Sequence, residues 1–352
     1  MVLSKIARSS FKLFLALYVS LFFGVSSSFA TESHGQNEVH KEEAFDATKV
    51  IFEHIGDSHD WHLWGEHEHA VSIPLPVILY SSKRGIVSFL SSEFHHGTAD
   101  FGPYFIEHEH IGSREQDEVV YDFSITKNVA SMFLSIVIIL SIFFTVASKY
   151  KTNKGVPSGI QSIFEPIICF VRDDIAKPNI SHNHEKFVPF LLTIFFFIWI
   201  NNLLGLLPIG ANLTGNIAFT FVMAIIVFIA TNLNGNKDYW AHIFWMPGLS
   251  WPMKLFMAPI ELIGIFTKPF ALMVRLFANI TAGHIVVISL ISLIFIFKSA
   301  AMSVAAIPLA LFIDVLELLV AFLQAFVFTM LTALFIGSAT AEHHHHDEHA
   351  HH

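Results

Sequence analysis

Four charged side chains recur every seven residues within an otherwise apolar stretch. The stretch is Trp251–Phe297, and its charged residues are Lys254, Glu261, Lys268 and Arg275. Seven residues make about two turns of an α-helix, so these side chains lie on nearly one face. Charged groups inside a membrane span are costly and mark ion or proton pathways by default. The spacing therefore predicts a polar stripe along a membrane helix.

Arg275 carries a permanent charge, because arginine stays protonated at physiological pH. It follows Lys254 by about 30 Å of helix, well inside the apolar stretch. At that depth an arginine costs about 2.5 to 3.5 kcal/mol on insertion scales. Asn279, four residues later, shares this face and is placed to hydrate or orient the arginine. The alternative is an arginine that snorkels to the interface or pairs with a carboxylate within the bundle.

Titratable groups lie beyond the arginine and on a second apolar block. His284 follows Arg275 by nine residues, so it points to the opposite side, about 13 Å further along the helix. Imidazole titrates near neutral pH and can relay protons. The second block, residues 302–340, contains Asp314, Glu317 and Gln324. These groups predict a fixed cation flanked by separate polar routes, past which a carboxylate on another subunit would carry protons.

Shorter apolar runs predict the membrane helices that accompany these two blocks. Residues 128–148 contain no charge and are followed at once by three lysines, which places that end in the cytoplasm. Further spans are predicted at residues 187–207 and Ile217–Leu233. Asn201 and Asn202 lie late in the first of these, where they can hydrogen-bond a partner helix. A direct channel role and a position merely near the interface are the two alternatives.

Residues 159–180 combine periodic apolar positions with terminal charges, which predicts an interfacial amphipathic helix. The two last blocks are too long to stand upright. Lys254 to Phe297 would extend roughly 60 Å, twice the thickness of the hydrocarbon core. With Pro259 and Pro269 inside, we expect a steep tilt or a break into two pieces. The predicted fold is an all-α polytopic membrane protein with about five transmembrane helices plus the interfacial helix.

Composition agrees with a membrane protein, since 53% of the 352 residues are hydrophobic and 14% are charged. The net charge of −9 is unevenly placed: residues 32–122 hold 18 acids and 5 bases, whereas residues 126–352 hold 11 and 12. No basic cluster accompanies the aromatic residues, which excludes a nucleic-acid binder. The single Cys169 excludes a disulfide framework and a cysteine-rich zinc site.

The N-terminal third is polar. Residues 1–30 are typical of an export signal, either cleaved or kept as an anchor. Residues 31–125 then form an acidic, His-rich extracytoplasmic segment, in which two prolines within residues 71–80 favour edge strands or loops. Glu-His alternation at residues 66–69 and 107–110 suggests metal binding, but it places neighbours on opposite strand faces, so we expect no metal site. Residues 126–340 form the membrane domain, and residues 341–352 form a His-rich tail.

These residues resemble subunit a of the F-type ATP synthase, the stationary proton-channel subunit of its membrane sector. The matching motifs are residues 164–180 (FEPIICFVRDDIAKPNI), 201–208 (NNLLGLLP), 268–269 (KP), 275–284 (RLFANITAGH) and 323–328 (LQAFVF). The family's last two helices lie steeply tilted against the rotating c-ring. The resemblance therefore implies that the long blocks of this chain are strongly tilted.

The resemblance also implies roles for individual residues. Arg275 would be the essential arginine that faces the c-ring carboxylate, with Asn279 and Gln324 flanking it. His284 and Glu317 would occupy the paired half-channel positions, in the order seen in mitochondrial relatives and reversed in many bacterial ones. The supporting polar residues would be Lys268, Asp314, Asn201, Asn202 and Glu261.

The implied partners are the c-ring subunits, the b subunits of the peripheral stalk and membrane lipid, without cofactor or metal. The implied location is the bacterial inner membrane, with the N-terminal segment outside and the C-terminus in the cytoplasm. We expect a non-catalytic subunit, because no phosphate-binding loop occurs in the sequence. The main alternative is a secondary cation/proton antiporter, although no repeated halves are visible. An intramembrane metalloprotease would need a H-E-x-x-H motif, and no apolar span contains one.

Overall fold

The computed structural model describes most of the chain from residue 56 onwards. The described residues are 56–64, 71–97, 99–107, 109–115, 118–152, 157, 159–180, 183–207, 212–246 and 250–341. The predicted export signal, the Glu-His run at residues 66–69, His108 and the His-rich tail from residue 342 lie outside them.

Long apolar helices dominate the described residues and confirm the predicted fold class. Four helices are long and apolar enough to cross a membrane. They are α1 (Lys127–Thr152), α3 (His184–Gly205), α6 (Trp251–Phe297) and α7 (Ala300–Thr340). Helices α4 (Ile217–Leu233) and α5 (Lys237–Phe244) meet at 105° and would make a fifth span if counted together. The chain is a multi-pass membrane protein.

Helix α6 runs without a break for 47 residues, through both Pro259 and Pro269. The predicted alternative of two shorter pieces is therefore wrong. Each proline removes one backbone hydrogen bond, but a helix in lipid must satisfy nearly all its other backbone groups internally. A break at either proline would expose several more such groups, so continuity is the less costly solution.

The predicted interfacial segment is helical but not uniformly so. Helix α2 (Ile160–Cys169) continues through a π-helical stretch, Phe170–Ala176, and ends at Asn179. Its last turn lies very close to α7. A Cβ atom added to Gly337 would lie 1.9 Å from the carbonyl oxygen of Asn179. Glycine is therefore required at position 337 for this backbone contact.

Residues before α1 form a small β domain. Strands β1 (Asp60–Trp64) and β2 (Val71–Pro74) pair antiparallel, as do β5 (Tyr104–Glu107) and β6 (His110–Ser113). A third sheet has the order β4-β3-β7, formed by Gly85–Leu90, Pro76–Ser81 and Val120–Asp122. The prediction of edge strands or loops is thus wrong for β3, which is central. Its proline is tolerated because it occupies the first position of the strand.

The helices and strands form two compact units, each with its own core. The first contains residues 1–137, 201–213 and 282–318, and the second contains residues 138–200, 214–281 and 319–352. In the first unit, Val77, Leu79, Phe94, Tyr104 and Ile111 make the core of the β domain. In the second, buried residues of α2, α3, α4, α6 and α7 pack together, among them Ile175, Phe195, Leu276 and Phe328.

The β domain is tied to the start of α1. The Asp57 carboxylate accepts hydrogen bonds from the Thr126 hydroxyl (3.0 Å) and the backbone N–H of Asn128 (3.1 Å). The backbone N–H of Lys127 donates to the carbonyl of Ser58 at 2.9 Å. A carboxylate at this point satisfies free N–H groups and complements the helix dipole. The domain therefore holds the first turn of the span.

Candidate functional site

Arg275 projects from the outer face of α6. Its neighbours Leu272 and Leu276 are buried, at 1% and 0% exposure, whereas Arg275 is exposed together with Ala271 and Ala278. Its guanidinium group forms no hydrogen bond or ion pair with any residue that the structure describes. The alternative of a carboxylate partner within the bundle therefore does not hold for the described residues. The arginine presents its charge outward between small side chains.

Asn279 and Gln324 contact each other, as neighbours on α6 and α7. The Asn279 side-chain amide Nδ2 donates to Gln324 Oε1 at 2.8 Å. Gln324 is buried, and its Nε2 group has no partner among the described residues. Asn279 lies one turn after Arg275 on the same side of α6. The pair thus links the arginine-bearing face to the next helix.

Glu317 lies directly against α6 at Gly283. A Cβ atom added to Gly283 would be 2.2 Å from Glu317 Oε1 and 2.7 Å from its Cδ. The carboxylate therefore occupies the space that any other residue at position 283 would fill. His284 is the next residue and is half-buried. The predicted acid thus lies against the residue that precedes the predicted imidazole.

Two carboxylates are buried one turn apart on α7. Asp314 is 5% exposed and Glu317 is 8% exposed. One oxygen of each, Asp314 Oδ2 and Glu317 Oε1, is buried without a hydrogen-bond partner among the described residues. Burying such groups unpaired costs free energy. A pair of this kind is a functional candidate because ionisable groups in membrane spans usually lie on ion pathways.

The supporting polar residues lie at separate places. Lys268 is exposed, and its Nζ atom is 5.6 Å from the centre of the Phe335 ring, a cation–π contact. Glu261 is half-buried on α6, seven residues earlier. Asn201 and Asn202, near the end of α3, are fully buried, at 0% exposure. The predicted role of these two asparagines stays a prediction.

No cluster of three or more potential metal ligands occurs among the described residues. In the β domain, His59 lies beside two carboxylates. Its Nε2 atom is 2.8 Å from Asp122, and its Nδ1 atom is 3.9 Å from Glu109. Burial alone would lower the pKa of His59, but the hydrogen bond with Asp122 and the negative charges of Asp122 and Glu109 outweigh it and raise the pKa to about 9. His59 therefore acts as a structural cation.

Sequence reasoning missed Gly283 and Gly337. Both are helical glycines, and a glycine inside a helix is ordinarily unfavourable by about 1 kcal/mol relative to alanine. A glycine kept inside a helix despite that cost indicates that another group lies close to the helix at that position. The partner of each glycine lies in a distant part of the chain, so the contact itself is invisible in the sequence.

A family model described as the ATP synthase A chain matches residues 129–337. The chain belongs to this family. Among its relatives, ATP synthase subunit a 2 of Chlorobaculum tepidum is 49% identical over 65% of this chain and 67% of the relative. ATP synthase subunit a 2 of Prosthecochloris aestuarii is 43% identical over 82% and 86%. ATP synthase subunit a of Chloroherpeton thalassium is 49% identical over 65% and 70%.

A second model, for a domain of unknown function, matches residues 50–132. It covers the β domain and the first turn of α1. The resemblance inferred from the sequence motifs is thus confirmed for the membrane helices, and the antiporter alternative is not favoured. Roles for individual ATP synthase A chain residues remain proposals.

Proposed function

We propose that this chain is the stationary proton-channel subunit of an F-type ATP synthase, coupling proton flow to rotation of a c-ring and so to ATP synthesis. The observation that carries the proposal is Arg275, an unpaired cation that faces outward in the middle of an apolar helix. A charge at that position is costly unless a partner outside this chain supplies a carboxylate.

The surroundings of Arg275 suit the close approach of a partner helix. Ala271, Ala278 and Ala282 are exposed on the same side of α6. Small side chains let helix backbones approach closely in membranes. A carboxylate on the passing helix of a c-subunit would then meet the guanidinium group without bulky residues between them.

In this proposal protons travel on two half-channels separated by the arginine. Glu317 and His284 load or unload the ring carboxylate on one side. Arg275 attracts the carboxylate once it is deprotonated and repels protons, so they cannot pass directly between the two half-channels. The Asn279–Gln324 hydrogen bond holds α6 and α7 in register beside it. No residue of this chain is assigned to ATP hydrolysis, so the subunit itself is non-catalytic.

The remaining assignments are also part of the proposal. The partners are the c-ring and the b subunits of the peripheral stalk, and the location is the bacterial inner membrane. The β domain lies outside the cytoplasm and the C-terminus inside it, consistent with the lysines at the end of α1.

The test replaces Arg275 by alanine in the complete ATP synthase. Proton-driven ATP synthesis in membrane vesicles is expected to be lost, because protons would then bypass rotation or the ring carboxylate would lose its counter-charge. Assembly is expected to remain, since Arg275 has no described partner within the chain and its removal relieves about 2.5 to 3.5 kcal/mol of insertion cost.

Val274→Ala is the matched control, because Val274 is the exposed neighbour of Arg275 on the same turn, at 40% exposure. It is expected to keep full ATP synthesis. Synthesis by an assembled Arg275→Ala complex would overturn the proposed function.

A further inference from the structure

The three-stranded sheet of the β domain has one face that is mostly exposed, with only Ile78 and Ile125 half-buried. On the other face, Val77 and Leu79 are fully buried and contact the core that includes Phe94. We call the mostly exposed face of the sheet the outer face. Its residues form three rows across strands β4, β3 and β7.

The register of the strands defines these rows. The outer row is Ile86, Tyr80 and Tyr121; the middle row is Ser88, Ile78 and Phe123; the inner row is Leu90, Pro76 and Ile125. Eight of these nine residues are apolar or aromatic, and Ser88 is the exception. Ile86, Phe123 and Tyr121 are 77%, 67% and 57% exposed. A continuous apolar face of this kind marks a binding surface.

The inner row lies next to the start of α1. The backbone N–H of Phe123 donates to Ile78 and that of Ile125 to Pro76, at 2.9 and 3.0 Å, so pairing continues to two residues before α1. The hydrogen bonds of the Asp57 carboxylate with Thr126 and Asn128, which we call the Asp57 clamp, fix the same junction. The outer face therefore begins where the first membrane span begins.

The charges of the domain are arranged around this face. Residues 32–122 contain 18 acids, yet none of the nine positions of the outer face is acidic. The turn beside the outer row carries two exposed bases, Lys83 and Arg84, of which Arg84 forms an ion pair with Glu115. Basic residues beside an apolar and aromatic face suit an anionic lipid surface.

We infer that the outer face lies flat on the bilayer surface at the leaflet where α1 begins, with its aromatic residues among the lipid headgroups. The membrane is the favoured occupant because the junction with α1 holds the sheet beside it at all times, so no association entropy opposes the contact. Tyr80, Tyr121 and Phe123 are residue types that gather at membrane interfaces.

The inference fixes the direction of the strands. Successive rows are about 7 Å apart, so the outer row is about 14 Å from the inner row. The headgroup region is only about 5 to 7 Å deep on each side. Strands standing upright would place the outer row in water, whereas strands lying along the surface keep all three rows at headgroup depth.

The test labels single cysteines in the complete complex. In a Cys169→Ser chain, Ile86→Cys, Leu90→Cys and Glu93→Cys each receive a polarity-sensitive fluorophore, and the complex is placed in vesicles of partly anionic lipid. Glu93 is the control, because it is exposed on the short helix Ser91–Gly97 that covers the other face of the sheet. Quenchers attached to the upper acyl chain or dissolved in water report the surroundings.

The inference predicts a blue shift and loss of fluorescence with lipid-attached quencher at both Ile86 and Leu90. The Glu93 label is expected to respond only to the water-soluble quencher. Lipid quenching at Leu90 alone would mean upright strands and overturn the inference. So would a blue shift without lipid quenching, which indicates a protein partner, or full access of water to both labels.

A second variant avoids the label. Ile86→Trp adds one tryptophan in the outer row, and brominated lipids are expected to reduce its added fluorescence relative to the parent complex. An added signal that brominated lipids leave unchanged would equally contradict the inference.

Discussion

Replacing Gly283 by alanine is expected to displace the Glu317 carboxylate, and the structure gives the size of the displacement. The new Cβ atom would lie 2.2 Å from Oε1, 2.7 Å from Cδ and 3.1 Å from Cγ of Glu317. Unstrained contacts between carbon atoms lie at about 3.5 to 4.0 Å, so the carboxylate must retreat by about 1 Å.

The retreat is expected to leave the fold intact. The obstructing atoms belong to the end of a flexible side chain, and moving it off its preferred torsion costs about 0.5 to 1.5 kcal/mol. Alanine offsets this, because it is more favourable than glycine inside a helix by about 0.5 to 1 kcal/mol. Assembly should therefore be unchanged.

Proton flow is expected to fall by about ten- to a hundredfold, because displacing a reacting group by about 1 Å can reduce a rate by about 10². The assay is passive proton influx into vesicles from which the ATP-hydrolysing part has been removed, driven by a potassium diffusion potential. Gly264→Ala on the same helix is the control, since a Cβ there meets nothing within 4 Å.

Two results would refute the reasoning about Gly283. Normal proton influx through an assembled Gly283→Ala complex would mean that the position of the Glu317 carboxylate does not matter. Loss of assembly would mean that the contact is structural, and that the side chain is not free to retreat.

Three further substitutions test other contacts. Gly337→Ala would place a Cβ atom 1.9 Å from a backbone carbonyl that cannot rotate away. Assembly of the complex should therefore be lost, in contrast to Gly283→Ala. A normal yield of assembled complex would contradict this contact. Asn279→Leu leaves the buried Gln324 amide without its partner and should destabilise the chain by about 1 to 3 kcal/mol, measured by thermal unfolding. Adding Gln324→Leu in the same chain should restore part of that loss. Independent, additive losses from the two substitutions would exclude coupling between these side chains. In the His59–Asp122 pair, burial would lower the pKa of His59 and raise that of Asp122. The hydrogen bond and charges of the pair outweigh burial, together with Glu109 beside His59 and the Ser124 hydrogen bonds to Asp122. The pKa of His59 therefore rises from 6.5 to about 9, and that of Asp122 falls from 3.8 to about 2. The stabilisation that this pair gives the β domain is therefore complete between pH 3.8 and 6.5 and is lost as pH rises to about 9 or falls to about 2. Hydrogen exchange of the β domain in the intact chain should show this decline in stability. His59→Gln should make the stability of the domain less dependent on pH.

The membrane helices could be predicted closely from the sequence. Residues 128–148 were predicted as a span within the observed Lys127–Thr152, and Ile217–Leu233 was predicted with its observed ends. A bilayer excludes unpaired backbone groups, so length and apolarity alone determine such helices. The predicted pairing of Glu317 with His284 stays a prediction, since the observed contact of Glu317 is with Gly283.

The β domain could not be predicted in the same way. Its strands have three to six residues, and its core joins residues far apart in the chain, such as Val77 and Ile111. Short strands lack a strong periodic pattern, and their pairing depends on contacts that propensity does not encode. The proline rule failed at β3 because Pro76 occupies the first position, where a missing N–H removes nothing from the ladder.

The Asp57 clamp has a consequence for the order in which the protein is completed. Asp57 lies 69 and 71 residues before the two residues that it binds at the start of α1. Local helix caps form together with their helix, but this one requires the intervening β domain to have folded and its long loop to have closed. The cap on the first turn of α1 therefore forms only once the β domain has folded.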